Sequence, residues 1–198
     1  MKIKICGLTR PQDIECVNRL LPDFCGFVFA PGSRRFLPKE EAARLKSRLS
    51  PRVRAVGVFV DEKAETAALY YRQGIIDMIQ LHGREDGAYI RRLKELADCP
   101  VIQAFSVREE EDLRRAERSS ADYVLLDNGS GGSGKRFDWN LLEGFGRPYF
   151  LAGGLSPDNV REALAHKPWG VDISSGVETD GVKDPLKIET CIRRIRND

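Results

Sequence analysis

The residues able to do chemistry in this chain stand where short apolar runs end. Lys2-Ile3-Lys4-Ile5-Cys6 alternates as a strand does, and Gly7 stops it. Thr9 and Gln12 then have the spacing of a capping box, with Pro11 in the first helical turn, where proline is tolerated. Cys6 therefore sits at a strand-to-helix turn, the edge on which βα proteins carry their active sites. The plainer reading of a free cysteine is a small buried hydrophobe. Other chemical groups stand in equivalent places: Arg34 and Arg35 in Ala30-Pro31-Gly32-Ser33-Arg34-Arg35-Phe36, His82 in Gln80-Leu81-His82-Gly83, and Asp127 and Asp172 at the ends of two further runs. Two glycine-bearing turns, Ala152-Gly153-Gly154-Leu155 and Ile173-Ser174-Ser175-Gly176, follow the last two runs. Backbone N–H groups in such turns suit a phosphate, which makes Gly153, Gly154, Ser174, Ser175 and Gly176 the expected phosphate-binding residues.

Eight runs read as strands: Lys2 to Cys6, Phe24 to Phe29, Val53 to Val60, Asp77 to Leu81, Val101 to Phe105, Tyr123 to Asp127, Tyr149 to Ala152 and Gly170 to Ile173. Charged amphipathic segments follow at Gln12 to Leu21, Lys39 to Leu49, Lys63 to Gln73, Gly87 to Ala97, Glu109 to Ser119, Asn159 to His166 and Pro185 to Arg196, with a weaker one near Trp139 to Leu142. Alternating strand and helix make a parallel sheet, and eight units favour closure into an α/β (β/α)8 TIM barrel. At about 25 residues per unit the barrel is compact for its kind. No linker divides the chain, so one domain is expected over 1–198.

Composition narrows the function. A net charge of +2, mixed evenly along the chain, argues against a nucleic-acid surface. Five scattered cysteines without CxxC or zinc spacing predict reduced thiols and a cytoplasmic protein, with no metal. No run approaches the length of a membrane span. Gly129-Ser130-Gly131-Gly132-Ser133-Gly134-Lys135 lacks the Walker spacing and reads as a flap over the site. Cys16, Cys25, Cys99 and Cys191 read as packing. Phe27, Phe29 and Phe59 read first as core and second as a wall for an aromatic ligand.

Together these segments resemble the phosphoribosylanthranilate isomerase family of tryptophan biosynthesis nearly end to end. The likeness rests on Lys4-Ile5-Cys6-Gly7-Leu8-Thr9, Ser33-Arg34-Arg35-Phe36, Gln80-Leu81-His82-Gly83, Leu125-Leu126-Asp127, Phe137-Asp138-Trp139, Leu151-Ala152-Gly153-Gly154-Leu155 and Val171-Asp172-Ile173-Ser174-Ser175-Gly176-Val177-Glu178. It implies an Amadori rearrangement of N-(5'-phosphoribosyl)anthranilate without metal or organic cofactor, with Cys6 as general base and Asp127 as general acid. It implies Arg35 as the grip on the anthranilate carboxylate, with Arg34 a solvated control. His82, at the tip of strand four, either touches the sugar or orients the mouth, and Asp172, similarly placed, either orders the strand-eight turn or assists Asp127. The chain itself is expected as a monomer or homodimer.

These roles fit the chemistry. Opening an aminofuranose needs a proton on the ring oxygen, and the Schiff base must then lose the proton at C2'. Asp127 needs its pKa raised from about 3.9, whereas Cys6, near 8.5, needs lowering. Lys4, two residues earlier on the same face, is the expected source of that lowering. Two other phosphate-binding barrels stay open: a histidine-pathway aminosugar isomerase, against which Cys6 and the lack of a two-fold repeat speak, and a metal-dependent pentose-phosphate epimerase, for which His82 and His166 are too few. A catalytically silent sugar-phosphate or partner-binding barrel is the alternative outside enzymes.

Overall fold

Each strand's period of two assigns its side chains to opposite faces of the sheet, and the structure, a computed structural model describing residues 1–128 and 138–196, turns that alternation into an inside and an outside. The chain runs β1 (Lys2–Cys6), α1 (Pro11–Leu20), β2 (Phe24–Val28), α2 (Lys39–Ser47), β3 (Arg54–Phe59), α3 (Ala64–Arg72), β4 (Met78–Leu81), α4 (Gly87–Leu96), β5 (Val101–Ser106), α5 (Glu110–Glu117), β6 (Tyr123–Asp127), β7 (Tyr149–Leu151), α6 (Val160–Ala165), β8 (Gly170–Ile173) and α7 (Pro185–Arg196). All eight strands are parallel and the sheet closes, β8 pairing β1 with Lys4 opposite Asp172. The (β/α)8 barrel predicted from the eight runs is the fold observed. In the weak sixth connection the described residues form a 3-10 turn at Trp139–Leu142. The glycine-rich segment expected to be a flap lies outside the described residues.

Two apolar layers hold the barrel. Outward residues such as Ile3, Ile5, Phe27, Phe59, Ile79 and Leu126 pack under the helices, while Phe24, Val56, Met78, Ile102, Leu125 and Phe150 fill the lumen. Above that plug the lumen changes character: Lys4, Gln80 and Asp172 are buried polar residues, and Cys6, Val28 and Val58 lie among the next inward positions. The polar layer marks the C-terminal mouth, where barrels of this kind react.

Two details depart from the expected local structure. The start of α1 is capped by Asp13 rather than by Thr9 with Gln12: the Asp13 carboxylate accepts from the N–H groups of Thr9 and Arg10, both at 3.0 Å. A carboxylate inside the first turn reaches back to donors that have no helical partner. After β8 the chain makes a 3-10 turn, Ser175–Val177, and a small antiparallel hairpin, β9 (Glu178–Thr179) with β10 (Val182–Lys183), none of which was predicted. Strands of two residues carry no periodicity to read.

Candidate active site

A cavity of about 530 Å³ opens at the C-terminal mouth, lined among others by Cys6, Arg35, His82, Asp127, Asp172 and the turns at Gly153-Gly154 and Ser174-Ser175. A larger hollow of about 840 Å³ lies between segments that precede β7 and β8, at the opposite end, and carries none of these groups. Chemistry, not size, distinguishes the two.

Register explains the gathering. Cys6 pairs Gly26, Lys4 pairs Asp172, Val58 pairs Gln80 and Ser106 pairs Asp127, so these residues share one inward parity around the barrel. A slip by one residue in any of these strands would turn its chemical group into the helix layer.

Cys6 is buried. Beneath it the fully buried Lys4 donates from Nζ to Asp172 Oδ2 at 2.9 Å, an ion pair across the seam that closes the barrel. Asp172 and Cys6 hold Lys4 charged against the cost of burial, and its pKa lies above the ordinary lysine value. Burial pushes the Cys6 thiol up; the Lys4 ammonium pulls it down by attraction and hydrogen bonding, and the balance stays above the ordinary thiol value. The lowering expected from Lys4 is thus present in direction but outweighed by desolvation, and the resting group is a thiol. Gly26 leaves the space this thiol occupies, since a Cβ there would stand 2.6 Å from Sγ. Gly26→Ala is expected to cost about 1–3 kcal/mol of stability as overpacking and to lower kcat more than KM by displacing Sγ; urea melts beside initial rates would show it, and an unchanged kcat would contradict it.

Asp127 lies at the end of β6. Burial raises its carboxyl above the ordinary carboxylate range; His82 and the Asn128 N–H, which donates to Oδ1 at 2.7 Å, offset part of the rise. Gly153, at φ +86°, passes so close that a Cβ would meet Asp127 Oδ1 at 2.6 Å. His82 Nε2 is 3.7 Å from Asp127 Oδ2, and its Nδ1 is 2.9 Å from Gln80 Nε2. Because an amide nitrogen only donates, this arrangement makes Nδ1 the acceptor and leaves the Nε2–H facing Asp127. His82 therefore stands beside the carboxyl, and Gln80, a buried residue the sequence reading passed over, holds its ring.

Arg35 is half-buried and lines the cavity, whereas Arg34 is exposed. The stem of Arg35 lies across Gly7, where a Cβ would meet its Cδ at 2.3 Å, and Gly7 is at φ +81°. Its guanidinium donates from Nε and Nη2 to the two oxygens of Glu178, each at 2.7 Å. Sequence reasoning missed Glu178 as a partner, because the contact crosses 143 positions.

Gly153, Gly154, Ser174 and Ser175 also line the cavity. Gly176 sits behind them: a Cβ there would lie 1.9 Å from the Leu155 carbonyl, so its lack of a side chain lets the turns after β7 and β8 touch. Ser174 Oγ donates to the Cys6 carbonyl at 3.1 Å, joining the same turn to β1. Phe27, Phe29 and Phe59 are core residues, as first read, and do not wall the cavity. Phe29 and Phe59 stack at 5.1 Å in the layer under the helices, and Val28, Ala30, Pro31, Val58, Val60 and Leu155 give the cavity its apolar side.

Comparison with known proteins matches the chain and its barrel along nearly their whole length. Residues 3–194 match the family model described as N-(5'phosphoribosyl)anthranilate (PRA) isomerase. The N-(5'-phosphoribosyl)anthranilate isomerase of Endomicrobium trichonymphae is 46% identical over 201 residues, covering 99% of this chain and 98% of that one. A crystal structure of phosphoribosyl anthranilate isomerase in complex with reduced 1-(o-carboxyphenylamino)-1-deoxyribulose 5-phosphate superposes with a TM-score of 0.89 at 35% identity, covering 100% of both chains. Monomers generated from the dimeric enzyme of Thermotoga maritima superpose equally well, with a TM-score of 0.89, 35% identity and 100% of each chain covered. With barrel and sequence matched along essentially its whole length, this chain belongs to the N-(5'-phosphoribosyl)anthranilate isomerases, the enzymes that carry out the Amadori rearrangement of tryptophan biosynthesis.

Proposed function

We propose that Cys6 is the general base and Asp127 the general acid of this rearrangement, with Arg35 on the anthranilate carboxylate and the turns after β7 and β8 on the phosphate. The observation that carries the reading is that Cys6 and Asp127 line one cavity together with a guanidinium and a pair of glycine-bearing turns. Asp127 gives its proton to the furanose ring oxygen, the C1'–O bond breaks and the nitrogen lone pair closes the Schiff base. Cys6 thiolate takes the proton from C2', leaving an enolamine. The enolamine gains a proton at C1' and its C2' hydroxyl gives one up, so no atom enters or leaves. Asp172 Oδ1, buried at the cavity without a hydrogen-bond partner among the described residues, accepts from a sugar hydroxyl, and Gly176 supports the phosphate turn from behind.

Desolvation serves the two groups differently. A carboxyl raised by burial holds the proton it must donate, while a raised thiol needs the Lys4 ammonium to exist as thiolate at all. The reactive form is the one with a single proton on the pair, Asp127 protonated and Cys6 ionised. Below the Asp127 pKa both groups are protonated and the base is lost; above the Cys6 pKa both are ionised and the acid is lost. A bell-shaped dependence of kcat/KM on pH is therefore expected, its acidic limb above the ordinary carboxylate value and its alkaline limb above the ordinary thiol value. A rate that rises to an alkaline plateau would contradict the acid.

The phosphorylated aminosugar is the partner we assign, with no nucleic acid or membrane partner. The net charge of +2 supports the first exclusion, and no described helix is long and apolar enough to cross a membrane. We place the enzyme in the cytoplasm, which the five free cysteines support, and the dimeric Thermotoga maritima relative favours the homodimer of the two expected assemblies.

A further inference from the structure

The Glu178 carboxylate has two cations on it, the half-buried Arg35 and the buried Lys183. Arg35 meets it with Nε and Nη2, both at 2.7 Å, and Lys183, its register partner across the β9–β10 hairpin, meets Oε1 at 2.5 Å. Side-chain exposure is 7% for Glu178 and 2% for Lys183, so neither is a loosely solvated surface charge. Lys183 also donates to the Ser174 carbonyl at 3.0 Å, tying the cluster to the turn after β8.

A guanidinium has two edges on which a carboxylate fits: the side formed by Nε with Nη2, and the end formed by Nη1 with Nη2. Glu178 takes the side. Among the described residues no acceptor meets Nη1, and Arg35 lines the cavity. The cluster's charges do not cancel, because two cations share one carboxylate, so a single positive charge is left facing the substrate. Glu178 therefore does not compete with an incoming carboxylate. It fixes the plane in which the guanidinium lies, removing the rotamer freedom that a long side chain would otherwise lose on binding.

We propose that Glu178 is the positioning residue for Arg35, holding one edge of the guanidinium so that the other meets the ring carboxylate of the substrate, and that this pair sets the enzyme's preference for a carboxylated aryl amine. The inference rests on the assignment of Arg35 to that carboxylate. It adds a prediction of sign that simple charge counting reverses. Removing the Glu178 charge makes the cluster more positive, so electrostatics alone predicts tighter binding of a carboxylate; loss of the fixed plane predicts weaker binding.

The test uses two stable ligands, reduced 1-(2-carboxyphenylamino)-1-deoxyribulose 5-phosphate and its phenylamino counterpart without the carboxylate, with dissociation constants from calorimetry. Wild type is expected to prefer the carboxylated ligand by about tenfold to a hundredfold, the worth of a charge-assisted pair. Arg35→Met should abolish that preference. Glu178→Gln, whose amide presents a donor where Arg35 needs an acceptor, should cut it by about tenfold while the phenylamino ligand binds within about twofold of wild type. Glu178→Gln/Lys183→Met, which strands no buried cation, should show the same selective loss. Binding of the phenylamino ligand doubles as the check that each variant is folded. Equal weakening of both ligands would reduce Glu178 to a structural role, and a kept or increased preference would refute positioning outright. A preference that survives in Arg35→Met would instead overturn the assignment of Arg35 itself.

Discussion

Asp127→Asn is expected to lower kcat by about 10²- to 10⁴-fold, the range for loss of a general acid, with KM changed little. The amide keeps the shape of the carboxyl and can still meet the Asn128 N–H, but it has no proton to give the ring oxygen. The same substitution should raise the melting temperature at neutral pH. Asp127's folded pKa lies above its unfolded value because the site desolvates it. A carboxyl raised in this way binds its proton more tightly in the folded state, so it penalises folding once pH climbs above the folded pKa, and the penalty vanishes below the unfolded one. The variant's advantage should therefore be greatest at neutral pH and fade as the solution is acidified. A variant that is both inactive and more stable is the behaviour of a strained catalytic group. Initial rates and thermal melts over the same pH range check both halves, and a variant that is merely less stable would indicate a structural aspartate.

Lys4→Met is expected to cost about 3–5 kcal/mol of stability, since it leaves Asp172 buried without its counter-charge. Both oxygens of Asp172 would then lack a partner among the described residues, because Oδ1 already has none there. The second consequence falls on Cys6. Lys4 is the largest influence holding the thiol pKa down, so its loss should move the ultraviolet thiolate titration of Cys6 further up and reduce kcat at every pH. Stability and chemistry separate in Lys4→Met/Asp172→Leu, which replaces the pair by apolar side chains. Such replacements of buried pairs are often neutral or stabilising, so urea melts should recover much of the loss while activity does not. Recovery of activity together with stability would show that Lys4 acts only on the fold.

How much of this was legible in the sequence depends on distance along the chain. The β1 alternation at Ile3 and Ile5 and the break at Gly7 are local signals, and Lys2–Cys6 and Tyr123–Asp127 form strands with the predicted ends. Position at a strand's C-terminal tip then follows from register alone, which is why Cys6, His82, Asp127 and Asp172 were all identified and all line one cavity. The separation of Arg35 from Arg34 came from the family motif, and in the structure Arg35 lines the cavity while Arg34 is exposed. Spacing had no means of telling them apart.

What the sequence could not give was the balance of opposing effects and the contacts between remote segments. Lys4 below Cys6 was readable from parity; that desolvation would outweigh it was not, because the size of a burial penalty depends on every neighbour packed around the group. Glu178 stands in the motif that follows β8, yet its hold on Arg35 goes with a hairpin of two-residue strands that no periodicity announces. The aromatic strand residues, read first as core, are core, and only their second reading as a wall fails. Phe29 and Phe59 have the bulk to wall a ring, but their parity turns them outward under the helices, and smaller residues line the mouth.

The most direct measurement on the acid and base is the decay of phosphoribosylanthranilate fluorescence, with the substrate generated in place from anthranilate and phosphoribosyl pyrophosphate. It is read for wild type, Cys6→Ser, Asp127→Asn and the double variant. Rapid decay with wild type, loss of about 10²- to 10⁴-fold in each single variant, and a double variant scarcely slower than either is the predicted pattern, because an acid and a base acting on one rearrangement fail together. Decay at the wild-type rate in either single variant would contradict the assignment of that group.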